Sequence, residues 1–171
     1  NITPAALNQL VGESYMLRAY THFLLANIFA QPYTKVQPST TRGVPILTKA
    51  DVNAVTSCSS LEAVYAQVLS DITTAKSLLN VEEWEEGLNY RFSTVAADAL
   101  LARACLYKGD WQGAQTAANA VLAKRGQLVD MNQSTLTLPN AYNSVENILA
   151  LEQVMTNTYK NIGRPSADLL A

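Results

Sequence analysis

Apolar residues recur at helical spacing in four stretches of this chain, separated by polar segments marked with proline and glycine. The first stretch opens at Thr3-Pro4, a capping residue followed by proline at the first helical position. The pattern predicts a helix from residue 4 to about Phe29, with a bend at Gly12. Its later half, SYMLRAYTHFLLANIF, is apolar nearly all round, as expected of a helix buried on several sides. A second helix is predicted over residues 60–79 from a capping box at Ser59-Ser60-Leu61-Glu62, in which Ser59 and Glu62 satisfy each other's free amides. Leu61, Val64, Tyr65, Val68, Ile72, Ala75 and Leu79 then fall on one stripe. A third helix, capped by Ser93, spans residues 94–108. The fourth, over 111–125, is capped by Asp110 and stopped by Gly126, with Ala114, Ala117, Ala118, Val121 and Leu122 along one face. Gly109 suits the left-handed turn that ends the third helix, so the two-residue break enforces an antiparallel hairpin.

The third and fourth helices fit the tetratricopeptide template of about 34 residues per helix pair. Leu101-Ala102 supplies its large-small pair, Gly109-Asp110-Trp111 its turn and packing aromatic, and Ala114 its small contact residue. The expected fold is therefore all-α, with stacked antiparallel helix pairs: 4–29 with 60–79, and 94–108 with 111–125. Between the first pair lies AQPYTKVQPSTTRGVPILTKADVNAVTSCSS, a segment long enough to be either functional or ordered by packing. Beyond Gly126 the chain reads as loop, with at most a short strand or helical turn near 146–154.

Composition narrows the function. The 171 residues suit one domain with a sizeable core, and 15% of them are charged, below the roughly 25% usual for globular domains. A net charge of −2 without a basic cluster argues against nucleic acid as a partner. The uncharged run between Arg18 and Lys35 contains His22, Asn27, Gln31 and Pro32, too polar and too short for a bilayer span. Cys58 and Cys105, in a loop and a helix respectively, read as free thiols. With His22 the sole histidine, no metal-ligand spacing exists, and no cofactor is expected.

Several stretches, in order, resemble the SusD/RagB family of nutrient-binding outer-membrane lipoproteins of Bacteroidetes. ESYMLRAYTHFLLANIFAQPY is similar to the family's EARFLRAxxYFxLxxxFG helix, and RGVPIL to its Gly-x-Pro segment. SSLEAVYAQVLSDITTAKSLL and YRFSTVAADALLARACLYKGDWQGAQTAANAVL resemble its next helix and its alanine-rich hairpin, and NSVENILALEQ its Asn-x-x-Glu-x-Ile segment. Ala30 stands where the family usually has glycine, and Cys105 where it has a larger apolar residue or tyrosine. The resemblance implies a non-catalytic, surface-exposed protein, lipid-anchored to the outer membrane through a segment outside these residues. Such a protein captures oligosaccharide or polysaccharide, or occasionally peptide, for a SusC-type TonB-dependent transporter. The alternative of another class is a cytoplasmic tetratricopeptide adaptor for peptides. Such adaptors present Lys, Arg and Asn along the groove-facing helix, where this third helix presents mainly Ala, Leu and Tyr.

Sugar sites stack aromatic faces on pyranose rings and bond hydroxyls to amides and arginine. Tyr33, Trp84 and Tyr90, in predicted loops, are the candidate stacking residues; the plainer reading of each is a partly buried loop anchor. Trp111 reads as repeat packing, and Tyr15, Tyr20, Tyr65 and Tyr107 as core or helix-interface residues. Arg18 and Arg103 are expected to bond neighbouring helix ends. The carboxylates of EEWEE, residues 82–86, read as a solvated run rather than a catalytic pair, and His22 as a satisfied interior histidine. A face of the first helix built from Met16, Phe23 or Ala26 is expected to need a partner beyond these four helices. That expectation makes residues 1–171 a single helical segment of a longer chain, which binds oligosaccharide weakly or not at all in isolation.

Overall fold

The computed structural model describes residues 2–151 apart from 52, 54, 86, 134–137 and 140. Among the described residues four α-helices carry the fold: α1 (Pro4–Phe29), α2 (Leu61–Leu78), α3 (Thr94–Lys108) and α4 (Trp111–Leu122), with a 3-10 turn at Tyr33–Lys35. Among the described residues there is no named strand, only an isolated bridge between Arg42 and Ser60. Residues 146–151 form neither strand nor helix; Ala150 N–H donates to the Asn89 carbonyl at 3.0 Å, and residues 152–154 lie outside the described set.

Short polar side chains start each helix by accepting otherwise unpaired amides. Thr3 Oγ1 accepts from Ala6 at 3.2 Å, with Pro4 at the first helical position. Ser93 Oγ accepts from Ala96 at 3.1 Å and Asp110 Oδ1 from Gly113 at 2.9 Å. Gly109 ends α3 with φ 83°, the left-handed turn expected of it. Two boundaries differ from the sequence expectation. The cap of α2 is Ser60, accepting from Ala63 at 3.2 Å, because Ser59 is committed to backbone pairing with Gly43 and Val44. α4 stops at Leu122 rather than beside Gly126, since the Lys124 and Arg125 amides both turn back to the Val121 carbonyl.

α1 and α2 pack antiparallel, as a ladder of pairings shows: Gln9 with Asn80, Gly12 with Leu79, Arg18 with Asp71, and Asn27 with Tyr65. Gly12 is not a bend, for α1 is one uninterrupted helix. A Cβ there would lie 3.0 Å from two Leu79 side-chain carbons, so glycine lets α2 close against α1. The whole α2 stripe from Leu61 to Leu79 is buried, and α3 contributes Val95, Ala96, Ala97, Leu100 and Ala104. Ala114, Ala117 and Val121 bury the inner face of α4, whereas Leu122 is exposed.

α1 presents two opposed apolar faces. Gln9, Gly12, Met16, Ala19, Phe23 and Ala26, alternately three and four apart, form the buried one. Met16, Phe23 and Ala26 are thus covered by this chain itself, contrary to the sequence expectation. The uncovered face lies half a helical turn round, where Leu7, Leu10, Leu17, Leu24 and Ile28 are exposed. Ser14 and Thr21 fall on that same face, and their hydroxyls fold back onto the Leu10 and Leu17 carbonyls at 2.9 and 2.8 Å.

The long segment between α1 and α2 is ordered by hydrogen bonds at both ends. Gly43 N–H donates to Ser59, Ser59 to Val44 and Leu61 to Thr41, so the segment folds back on its own exit. In its middle, Leu47 N–H donates to His22 Nε2 at 3.2 Å, while His22 Nδ1 lies 3.1 Å from the Arg18 carbonyl. Both ring nitrogens are therefore used, which fits a neutral imidazole carrying its proton on Nδ1. Arg18 does not reach a helix end: its guanidinium forms a fork on Asp71 in mid-α2, at 2.6 and 2.8 Å.

Candidate functional site

The three loop aromatics proposed from sequence do not converge. Trp84 lies between α2 and α3 near residue 10 of α1, where it shares a cleft with Ala6, Gln9, Leu10 and Arg91. Its indole Nε1 donates to the Phe92 carbonyl at 3.0 Å, and the Arg91 guanidinium lies 3.9 Å over its ring. Arg91 in turn holds Glu13 at 2.8 Å, so this tryptophan anchors the connection. Tyr90 belongs to the same connection and is exposed. Tyr33 sits at the other end, beside Asn27 of α1. At 1.5 Å per residue, positions 10 and 27 of α1 are separated by about 25 Å, too far for one sugar ring to touch both aromatics.

At Tyr33 the chain builds a second cleft, of about 400 Å³, between the end of α1, the 3-10 turn and the tip of the α3–α4 hairpin. Asn27, Gln31, Tyr33, Tyr107 and Trp111 are among its walls. Trp111 is 65% exposed, which corrects its reading as a packing residue, whereas Tyr107, 49% exposed, also meets Phe23 of α1 and so is the helix-interface residue expected. Trp111 opens α4 one residue after its cap, so its ring stands at the hairpin tip instead of between the helices. Asn27 and Gln31 carry no motif in the sequence that marks them as neighbours of Trp111. The available signal was that an aromatic beside a two-residue hairpin break lies at an outer corner.

Buried aromatics fix these walls. The Tyr107 ring meets Phe23 edge-on at 5.3 Å between centroids, Phe23 meets Tyr65 at 6.2 Å, and Tyr65 meets Tyr33 at 4.8 Å. Asn27 is held by its Nδ2 donating to the Phe23 carbonyl at 2.7 Å and its Oδ1 accepting from Tyr65 at 3.3 Å. Burial pushes the hydroxyls of Tyr33 and Tyr65 above their ordinary values, so both remain neutral hydrogen-bonding groups.

Elsewhere the polar groups serve structure. The EEWEE run is partly tied down, Glu82 pairing with Lys124 at 3.0 Å and Glu83 with Arg125. Cys58 and Cys105 are free thiols. Among the described residues no group of three or more His, Cys, Asp or Glu could hold a metal, and no helix is long and apolar enough to cross a membrane.

Residues 2–106 match a SusD-like family model described as starch-binding and associating with the outer membrane. A SusD-like protein of Formosa agariphila is 30% identical over 133 residues, covering 75% of this chain and 22% of that relative. A crystal structure of a SusD superfamily protein from Bacteroides thetaiotaomicron is similar with a TM-score of 0.67 and 33% identity, covering 75% of this chain and 28% of that one. A SusD-like carbohydrate binding protein from Bacteroides vulgatus gives a TM-score of 0.69 at 26% identity, covering 87% and 31%. The chain thus spans between a fifth and a third of the length of these relatives.

Proposed function

The chain belongs to the SusD-like family, and from that membership we propose that it is part of a non-catalytic carbohydrate-binding protein of the bacterial cell surface. The observation that carries this reading is the match of residues 2–106 to a family described by starch binding and outer-membrane association. In this reading the protein is lipid-anchored and delivers oligosaccharide to a SusC-type TonB-dependent transporter. The helical fold supplies a rigid support for exposed aromatics, which is what capture of a flexible sugar polymer requires. The burial of Val95, Ala96, Ala97, Leu100 and Ala104 on α3 speaks against the open, polar groove of a peptide adaptor.

Affinity electrophoresis of the full-length protein through gels containing starch or laminarin tests the binding claim. Retarded migration without release of reducing ends is the expected outcome, and release of reducing sugar would show an enzyme instead. Co-purification from detergent-solubilised outer membranes tests the partnership, which fails if no TonB-dependent transporter accompanies the protein.

A further inference from the structure

A pyranose unit offers a binding site two surfaces: an apolar face of C–H groups and a rim of hydroxyls. Recognition therefore needs a flat exposed ring with neutral donors and acceptors beside it. The cleft at the α3–α4 hairpin tip has both, with the rings of Trp111 and Tyr107 exposed and the amides of Asn27 and Gln31 on the same walls. We propose that this cleft is a subsite for one unit of a neutral oligosaccharide, Trp111 and Tyr107 stacking on the sugar and Asn27 and Gln31 bonding its hydroxyls. The proposal rests on the carbohydrate-binding reading above and adds a location and a ligand charge to it.

Three observations converge on the assignment. The first is rigidity. The chain of rings from Tyr107 through Phe23 and Tyr65 to Tyr33 ties both tyrosines of the cleft to the buried core. A Cβ on Gly109 would lie 3.0 Å from Thr34 Cγ2, so the 3-10 turn is seated directly on the hairpin turn and fixes the width of the cleft. A site held in its binding shape loses less entropy when a ligand arrives.

The second is charge. The cleft walls carry no Asp, Glu, Lys or Arg, whereas the Trp84 cleft carries Arg91, a cleft beside Tyr20 and Phe92 carries Arg103 and Glu146, and one beside Leu25 and Phe29 carries Arg42. A uronate or sulfated sugar would enter this cleft without a counter-ion, so a neutral hexose is the matching ligand. The third is size: about 400 Å³ lies at the small end of ligand pockets, enough for one or two sugar units and too little for a long segment. Capture of polymer then depends on this subsite acting together with others.

The test uses the full-length protein labelled with 15N-tryptophan. The Trp111 indole signal, assigned by its loss in Trp111→Ala, is expected to shift on titration with maltohexaose or laminarihexaose and to stay still with a galacturonate hexamer. Trp111→Ala is expected to weaken the neutral ligands about three- to tenfold by calorimetry, with circular dichroism unchanged. Leu122→Ala, exposed at the far end of α4, serves as the surface control. If the wild-type protein binds a neutral hexamer while the Trp111 signal and the Trp111→Ala affinity stay constant, the subsite is refuted and the family reading survives. If the wild-type protein binds no neutral oligosaccharide, both fail. A Trp111 response to galacturonate alone would refute the neutral-ligand assignment.

Discussion

Asp71 is a carboxylate with only 2% of its side chain exposed, inside a helical core. It is tolerated because Arg18 reaches it with two hydrogen bonds and Gln67 Nε2 donates a third at 2.8 Å. Removing Arg18 strands the charge, so Arg18→Met is expected to cost about 3 kcal/mol, the low end for a buried pair because Arg18 is itself partly exposed. The double variant Arg18→Met/Asp71→Leu should recover much of that loss. Urea titration of the single and double variants checks this, and a double variant less stable than Arg18→Met would refute it. Two other buried groups set an alkaline limit. Burial raises the Tyr65 hydroxyl above 10.0 and the Cys105 thiol above 9.0, so each holds its proton more tightly in the folded state. A raised folded pKa contributes stability that is complete below the unfolded value and vanishes as pH rises through the folded one. Urea midpoints are therefore expected to fall from about pH 9 upward, and Cys105→Ala should delay the onset of that fall.

At the scale of elements, the α3–α4 hairpin depends on two small residues. Gly109 sits at φ 83°, so Gly109→Ala is expected to cost about 1–2 kcal/mol from conformation alone. Ala114 faces α3 with little exposure, and Ala114→Leu should overpack that contact by about 1–3 kcal/mol. Thermal melts of both variants test the hairpin, and unchanged melting temperatures would count against it. These elements were legible in the sequence because caps, a left-handed glycine and a stripe of period 3.6 are local signals. The exact cap of α2 was not, since the competition between Ser59 and Ser60 is settled by the distant partners Gly43 and Val44. Asp71 was equally hidden, because its partner Arg18 is 53 positions away.

At the scale of the molecule, the uncharged outer face of α1 stands out: Leu7, Leu10, Leu17, Leu24 and Ile28, with two hydroxyls already satisfied inside the helix. Exposed apolar patches of this extent mark contact surfaces. We propose that further helices of the same polypeptide cover this face, consistent with relatives of which this chain matches only 22%, 28% and 31%. The isolated 171 residues are then expected to bind a hydrophobic dye and to self-associate, and Leu17→Glu/Leu24→Glu should suppress both. In the full-length protein the same pair should destabilise by several kcal/mol; a neutral effect there would refute the proposal. The sequence showed that α1 is apolar on more than one side, but which side is covered depends on how α2 is docked. The cleft was illegible for the same reason. Tyr33 and Trp111 are 78 positions apart (111 − 33), and only the seating of the 3-10 turn on the hairpin turn makes them neighbours.

The two helix pairs also differ in how far along the chain their partners lie. α3 and α4 are joined by the two residues Gly109 and Asp110, whereas α1 must find α2 across the segment from Ala30 to Ser60. Closing the longer loop costs more chain entropy before any contact rewards it, so local pairs tend to form first. The hairpin is then the natural folding nucleus, and the docking of α1 the later event. In stopped-flow experiments Ala114→Leu would chiefly slow refolding, while Gly12→Val, which disturbs the seat of Leu79, would chiefly speed unfolding. The same order suits a chain leaving the ribosome amino-terminus first: α1 must wait, apolar on both sides, until residue 79 has emerged, and in that interval it is the natural substrate of a chaperone.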